Sequence, residues 1–197
     1  MTAPKTLLQL AGADLSLPSL GQSCLVLIDL QNEYRTGPLA LPGADATIAS
    51  ASRLLARARE QGAAIFHIAH KGKPGGLFDR TAGRGAIVEP LTPRPTEAVI
   101  EKALPNAFAG TDLQARLAAT GRNNVVLAGM MTHMCVSSTA RAALDLGLRV
   151  TIDAESCATR DLPDGRGGAI AASVVHEVAL AELADRFAII ARDGALS

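Results

Sequence analysis

Short apolar runs alternate along this chain with stretches in which apolar residues recur every three or four positions. The run at 24–28 ends at Asp29, a helical pattern occupies 48–58, and a second apolar run follows at 63–68. A run that is apolar at every position is typical of a strand buried on both faces of a parallel sheet. The other predicted strands lie at 97–101, 125–128, 149–153 and 187–190. Six strands separated by helices predict a three-layer α/β/α fold around an open parallel sheet.

The length of the chain predicts a single compact domain. With 197 residues, of which 48% are hydrophobic, the chain is long enough to bury a sizeable core without a second domain. Residues 1–22 carry two short leucine-containing pieces interrupted by glycine and ended by proline. We therefore predict an N-terminal arm at 1–22 and one domain at 23–197.

The charge balance excludes several classes of partner. The chain has 19 basic and 19 acidic residues and a formal net charge of +0, which gives no attraction to a phosphate backbone or to an anionic membrane surface. Charged residues or glycine interrupt every apolar stretch well before the roughly 18–20 residues that span a bilayer. The first residues lack the basic and apolar regions of a secretion signal. We expect a soluble cytoplasmic protein that binds neither nucleic acid nor a membrane.

One cysteine has a local context that favours chemistry. Cys135 follows the predicted strand at 125–128 and precedes a helical stretch at 140–144. At such a turn, the first helical N–H groups and the helix dipole lower the pKa of a thiol, which makes Cys135 a candidate nucleophile. A small buried packing residue is the alternative, and it is the usual role of a free cysteine. Cys24 and Cys157 adjoin apolar runs, where packing is the simpler interpretation.

The predicted topology brings this thiol to two charged residues. Ligands of an open parallel sheet bind beyond the carboxyl ends of the strands, where the strand order reverses. Asp29 follows the first strand, Lys102 follows the third, and the turn to Cys135 follows the fourth. Lysine is scarce in this chain, with four residues against fifteen arginines, which favours a specific role for Lys102. A carboxylate, an ammonium and a thiol are thus predicted at one edge of the sheet.

Three stretches resemble a known family. LIDLQN at 27–32, EKALPNAF at 101–108 and GMMTHMCV at 129–136 are similar, in order and spacing, to the signature stretches of the isochorismatase-like cysteine hydrolases. That family includes nicotinamidase, N-carbamoylsarcosine amidohydrolase and streptothricin hydrolase, and the resemblance extends over residues 24–190. It implies a Rossmann-like fold with the strand order 3-2-1-4-5-6, a small-molecule substrate and assembly into a homo-oligomer.

The resemblance also implies specific site residues. It assigns a catalytic triad to Asp29, Lys102 and Cys135. Members of the family usually have a non-proline cis peptide just before the threonine of the cysteine stretch, which here is the bond between Met130 and Met131. Such a bond turns the backbone N–H groups of Met131 and Cys135 toward one point, and we expect the oxyanion hole there.

Each member of the triad has a role that follows from its chemistry. Asp29 accepts the thiol proton and later activates water, while Lys102 favours both anionic groups by charge attraction. Cys135 attacks a carbonyl carbon and forms an acyl-thioenzyme, so the expected reaction is hydrolysis of an amide, carbamoyl or lactam C–N bond. A thiol at this position argues against true isochorismatase activity, because that branch cleaves a vinyl ether without the thiol and has another residue there.

The sequence predicts neither a metal nor another cofactor. Nicotinamidases typically carry an Asp-x-His pair after the second strand, together with a further histidine, whereas this chain has His67 and His70 there without the aspartate. Residues three apart on a strand point to opposite faces, which is poor geometry for chelation. We expect His67 to be a core histidine and His70 to line the substrate pocket.

Five residues are candidates for substrate binding. They lie in loops or strand ends near the predicted site and are Tyr34, His70, Asn106, Phe108 and His133. Aromatic walls with a few polar groups are the usual lining of a small-molecule pocket. A role in stabilising the turn is an equal alternative for His133, and core packing is the simpler interpretation for Phe108. The Gly- and Pro-rich passage at 70–95 is long enough to shape the pocket, but it carries no motif that identifies the substrate.

Three other functions remain open at the level of sequence. The chain could be a non-catalytic binding or regulatory protein of the same fold, a family hydrolase with a non-amide substrate, or a redox-sensing thiol. The complete set of Asp29, Lys102 and Cys135 favours an enzyme, because a binding module has no reason to keep it. A redox sensor is the weakest of these, because no second cysteine is placed to resolve an oxidised Cys135.

Overall fold

The computed structural model describes residues 3–196, which form a parallel sheet with helices on both faces. The strands are β1 (Ser23–Ile28), β2 (Ala64–His70), β3 (Ala98–Lys102), β4 (Asn124–Met130), β5 (Arg149–Ala158), β6 (Leu162–Pro163), β7 (Ala169–Ile170) and β8 (Ile189–Ala191). The helices are α1 (Leu7–Leu10), α2 (Glu33–Thr36), α3 (Ala44–Glu60), α4 (Leu113–Ala119), α5 (Ser137–Asp145) and α6 (Ala172–Arg186). A π-helical turn, Thr132–Val136, leads from β4 toward α5.

The six-stranded sheet has the order β3-β2-β1-β4-β5-β8, and its paired strands run parallel. This confirms the predicted fold class and strand order. The sixth strand of the sheet is numbered β8 because an antiparallel hairpin, β6 and β7, precedes it. Strands of two residues are too short to show any hydrophobic periodicity, so the sequence pattern did not reveal this hairpin.

Two apolar layers explain why the strands are apolar at every position. All six residues of β1 are buried. Side chains on one face of the sheet pack with Leu54 and Leu55 of α3, and those on the other face pack with residues of α4, α5 and α6, among them Leu117 and Leu180. Because successive side chains of a strand alternate between faces, both sets must be apolar.

Strands β2 and β5 run further toward the carboxyl edge of the sheet, where the parallel strands end, than the sequence pattern indicated. β2 includes His70, and β5 continues past Asp153 to Ala158. Register against β4 shifts between Leu127 and Gly129, so the extra residues of β5 form a bulge. Asp153 and Ser156 of this bulge are buried, and the hydroxyl of Ser156 lies 3.1 Å from that of Ser50 on α3. Polar residues that point to the interior gave this segment the appearance of a loop.

The N-terminal arm lies against its own domain. The backbone N–H of Leu7 donates to Asp185 of α6 at 2.8 Å, and the guanidinium of Arg149 donates to the carbonyls of Asp14 and Ser16. The division of the chain at residue 22 stays a prediction, and residues 1–2 and 197 of the two predicted segments lie outside the described part of the chain. Within residues 3–196, no helix is long and apolar enough to cross a membrane.

Gly129 determines how closely β1 and β4 approach each other at the carboxyl edge of the sheet. Its φ is +142°, and a Cβ atom there would lie 2.0 Å from the carbonyl oxygen of Ile28 on β1. Only glycine allows β1 and β4 to approach this closely.

We predict that Gly129→Ala destabilises the protein by about 3 kcal/mol or more, because backbone strain and overpacking add together. Gly147→Ala is the matched control, since Gly147 has a φ of +76° but open space around its Cα. We expect it to cost only about 1–2 kcal/mol. Urea unfolding of both variants measures the difference, and equal losses would contradict the close-approach argument.

Candidate active site

The carboxyl ends of β1, β3 and β4 bring Asp29, Lys102 and Cys135 together. Lys102 Nζ lies 2.7 Å from Asp29 Oδ2 and 3.3 Å from Cys135 Sγ. The side chains of Asp29 and Lys102 are 0% exposed, and Cys135 is buried. A buried charge is tolerated only when it is paired and hydrogen-bonded, so this arrangement fixes all three groups.

Asp29 owes its position to an unusual backbone conformation. It follows β1 directly and has a φ of +52°. Its N–H donates to the carbonyl of Ile68 on β2 and its carbonyl accepts from the N–H of Gln31, both at 2.9 Å. Aspartate tolerates the left-handed region better than most residues do. The turn therefore holds the carboxylate at the edge of the sheet without a glycine.

Cys135 is positioned by the end of β4 and the π-helical turn. The Met130–Met131 peptide bond is cis, and the carbonyl of Met131 accepts from the N–H groups of Met134 and Val136. Cys135 lies in this turn, just before α5 begins at Ser137. The oxyanion hole at the N–H groups of Met131 and Cys135 stays a prediction.

Burial reverses the expected acidity of the thiol. Burial raises the pKa of Cys135 to about 12, the negative charge of Asp29 contributes to the rise, and Lys102 offsets part of it. Burial likewise raises the pKa of Asp29, against the pull of Lys102. The expectation that the helix start lowers the thiol pKa is therefore wrong. The resting site therefore holds a protonated thiol, and attack requires transfer of the thiol proton.

Two of the predicted substrate-binding residues meet at Phe78, an aromatic residue of the Gly- and Pro-rich passage that is not among the five candidates. The ring of Phe78 lies 5.1 Å from that of Tyr34 and 5.0 Å from that of His70. His70 Nδ1 in turn lies 3.3 Å from Lys102 Nζ. Burial, together with the charges of Asp29 and Cys135, raises the pKa of Tyr34, so its phenol stays neutral. Tyr34, Phe78 and His70 thus form one wall beside the triad.

Buried polar side chains hold the loop that carries Phe78. Phe78 has a φ of +55°, and its N–H donates to Glu33 Oε2 at 3.0 Å. Arg84 Nη1 lies 3.5 Å from the other oxygen of this buried carboxylate. Gln31 donates to the carbonyls of His70 and Gly85 and so ties the loop to the end of β2. The Gly- and Pro-rich passage is therefore ordered by contacts with the segment that follows Asp29.

His133 and Arg160 offer polar atoms without partners near the triad. The Nδ1 atom of His133 contacts the hydroxyl of Thr159, while its buried Nε2 has no hydrogen-bond partner among residues 3–196. The same holds for Nε of Arg160, whose positive charge acts on both His133 and Tyr34. Arg160 follows the true end of β5 by two residues. Sequence reasoning missed it because the predicted strand ended at Asp153.

Asn106 and Phe108 lie in the loop after β3. Asn106 Oδ1 accepts from the backbone N–H of Phe108 at 2.9 Å, which stabilises this loop. Phe108 packs against the apolar cluster on the α4 face of the sheet, and Cys135 belongs to that cluster. Both contacts are structural, and a role of either residue in substrate binding stays a prediction.

His67 and His70 belong to different networks, as their strand spacing predicted. Nε2 of His67 lies 3.0 Å from Glu97 Oε2, and Arg59 donates to the same carboxylate. Burial opposes ionisation of Glu97, but these hydrogen bonds outweigh it and lower the pKa of Glu97 to about 2. Within the described residues, no group of three or more His, Cys, Asp or Glu side chains could hold a metal ion.

We predict that alkylation of Cys135 by iodoacetamide keeps accelerating well above pH 9. A thiol whose pKa is about 12 gains thiolate across that whole range, whereas one at the ordinary 9.0 levels off. Peptide mapping reports Cys135 separately from Cys24 and Cys157, which lie in other tryptic peptides. Circular dichroism at each pH checks that the fold persists. A rate that levels off by about pH 10 would show that the pKa of the thiol is not raised as described.

Comparison with known proteins places the chain in the isochorismatase family. The isochorismatase domain family matches residues 23–192. A secreted isochorismatase effector of Verticillium dahliae is 39% identical over 177 residues, which cover 89% of this chain and 90% of that protein. Maleamate amidohydrolase of Pseudomonas putida is 32% identical over 153 residues, covering 69% of this chain and 72% of that enzyme.

The fold agrees with a solved structure over nearly its whole length. The crystal structure of an isochorismatase from Pseudomonas putida superposes with a TM-score of 0.92 and 40% sequence identity. The superposition covers 96% of this chain and 97% of that chain.

Proposed function

The chain belongs to the isochorismatase family and is a hydrolase, and we propose that it cleaves a C–N bond of a small amide, carbamoyl compound or lactam. Cys135 is the proposed nucleophile, Asp29 the base and Lys102 the charge stabiliser. The observation that carries this proposal is the ammonium of Lys102, buried 2.7 Å from the carboxylate and 3.3 Å from the thiol.

The first half of the reaction forms a thioester. The thiol proton of Cys135 passes to Asp29 as Sγ bonds to the carbonyl carbon of the substrate. The oxyanion that results is stabilised by the backbone N–H groups of Met131 and Cys135, the proposed oxyanion hole. As the C–N bond breaks, the proton on Asp29 passes to the leaving amine or ammonia. The acyl group is then bound to Cys135 and Asp29 is again a carboxylate.

The second half releases the acid. Asp29 takes a proton from water as the water oxygen bonds to the acyl carbon. The C–S bond breaks, and the proton returns from Asp29 to the sulfur of Cys135. Lys102 stays charged throughout and stabilises whichever of the two groups is anionic. Burial raises the pKa values of both Asp29 and Cys135, so the proton moves between two groups that are both buried.

We propose that this chemistry is independent of a metal. The lone pair of His70 Nδ1, which a metal would need, faces the ammonium of Lys102 at 3.3 Å. His67 is engaged with Glu97 at the other face of β2. Neither histidine is free to serve as a ligand in this arrangement.

A substrate with an anionic group fits the half-buried guanidinium of Arg160. Its Nε lacks a partner among residues 3–196, and Nη1 donates only to the carbonyl of Asp161, at 3.3 Å. Together with the unpartnered Nε2 of His133, it gives the site a guanidinium donor and an imidazole nitrogen beside the wall formed by Tyr34. We propose that these two groups bind the part of the substrate beyond the carbonyl.

Hydrolysis of isochorismate is the second candidate function. The names of the Verticillium dahliae effector and of the solved Pseudomonas putida structure favour it. The thiol at 135 disfavours it, because hydrolysis of a vinyl ether does not need a nucleophilic sulfur. A non-catalytic binding role is disfavoured by the complete, buried triad. We further propose that the protein acts in the cytoplasm as a homo-oligomer, although the fungal relative is secreted.

We predict that Cys135→Ala lowers kcat on an amide substrate by about 10⁴-fold or more, because the nucleophile is lost. Cys24→Ala is the matched control: Cys24 is a buried thiol at the start of β1, and its removal leaves kcat unchanged. Steady-state ammonia release from a panel of amides measures both, with isochorismate assayed in parallel. Full turnover by Cys135→Ala would refute the proposed role of the thiol, and turnover of isochorismate alone would favour the second candidate.

We predict that Arg160→Met raises KM for an anionic amide by about tenfold to a hundredfold, because the substrate loses a hydrogen bond to a charged group. Its effect on a neutral amide of the same size is expected to be less than about twofold. Arg166→Met, in the exposed hairpin between β6 and β7, is the control and should change neither value. Equal effects of Arg160→Met on both amides would show that Arg160 does not bind an anionic group of the substrate.

A further inference from the structure

The ammonium of Lys102 makes a third contact that the proposed reaction does not use. Besides Asp29 Oδ2 and Cys135 Sγ, it faces Nδ1 of His70 at 3.3 Å. A lysine ammonium has three N–H donors, and here it has hydrogen bonds to the thiol and the imidazole and an ion pair with the carboxylate. Of the three, His70 alone neither carries the acyl group nor transfers a proton.

The imidazole of His70 can act only as an acceptor in this contact. Burial and the charge of Lys102 lower the pKa of His70 to about 4, so the ring is neutral at pH 7. An ammonium has no lone pair, so the nitrogen that faces it must be the unprotonated one. This assigns the proton of His70 to Nε2.

Four further contacts hold His70 in place. Its N–H donates to Gln31 Oε1 at 2.8 Å, and its carbonyl accepts from Gln31 Nε2 at 3.0 Å. His70 pairs directly with Lys102 in the register of β2 against β3. Its ring packs against that of Phe78. Both the backbone and the side chain of His70 are therefore held in place before substrate binds.

We propose that His70 is a positioning residue that keeps the ammonium of Lys102 charged and directed at Asp29 and Cys135. This inference deepens the proposed function and rests on it for its effect on turnover. It assigns His70 a role other than the predicted substrate contact. Without the imidazole, one N–H of a buried ammonium has no acceptor, which favours loss of the proton. A neutral Lys102 no longer stabilises the thiolate.

Two variants of nearly equal size separate an acceptor from a pocket wall. His70→Asn places an amide oxygen where Nδ1 lies, whereas His70→Leu has the same branching without an acceptor. The chain has only four lysines, so ¹³C-lysine NMR spectra resolve them, and Lys102→Met assigns the signal of Lys102. We expect the ¹³Cε chemical shift of Lys102 at pH 7 to change in His70→Leu and to stay close to that of the wild type in His70→Asn, because only asparagine keeps an acceptor for the ammonium.

Reactivity and kinetics give two further readouts. Alkylation of Cys135 at about pH 8 should be about tenfold slower in His70→Leu and within about threefold of the wild type in His70→Asn. On an amide substrate, His70→Leu should lower kcat by about tenfold and leave KM within about twofold. The NMR and alkylation measurements need no substrate, so they test His70 even if Cys135→Ala shows that the proposed function is wrong.

Several results would overturn the proposal. It fails if the two variants shift Lys102 and the alkylation rate equally, or if His70→Leu changes only KM, as a wall of the pocket would. If His70→Leu does not fold, ¹⁵N NMR of the wild-type histidines decides the matter. A proton on Nδ1 of His70 contradicts the proposal, and a proton on Nε2 supports it.

Discussion

The ammonium of Lys102 is the interaction on which this structure depends. A charge that is 0% exposed is stable only with enough acceptors around it, and here a carboxylate, a thiol and an imidazole surround one nitrogen. Removing any one acceptor leaves part of a buried charge unpaired. The same nitrogen therefore stabilises the local fold and sets the protonation states from which the chemistry starts.

The contacts of this ammonium require a specific conformation at three strand ends and in the loops between them. β1 must end in a left-handed Asp29, and β4 must approach β1 closely enough that only glycine fits at 129. Gln31, which lies two residues after Asp29, fixes the backbone of His70. Glu33 fixes Phe78, which covers the imidazole. One short segment after β1 thus organises the base, the acceptor and the aromatic wall.

The sequence predicted the sheet and the triad because continuous apolar runs end where the charged residues begin. Parallel strands expose no polar face, so their ends are easy to recognise when a charge follows. The same reasoning failed at β5, where Asp153 and Ser156 are buried in a bulge and look like a loop. Arg160 was missed for that reason. The thiol pKa was also mispredicted, because burial beside Asp29 raises it and this burial is a property of the folded site that the local sequence does not show.

In the proposed reaction, the thiol of Cys135 carries the acyl group during turnover. Intact-mass spectrometry after rapid acid quench of the enzyme with an amide substrate tests it directly. We expect a mass increase equal to the acyl group minus hydrogen, mapped to the peptide that contains Cys135 and absent from Cys135→Ala. Turnover of the same amide with no adduct at Cys135 at any quench time, in an enzyme that stays active without the thiol, would contradict the account.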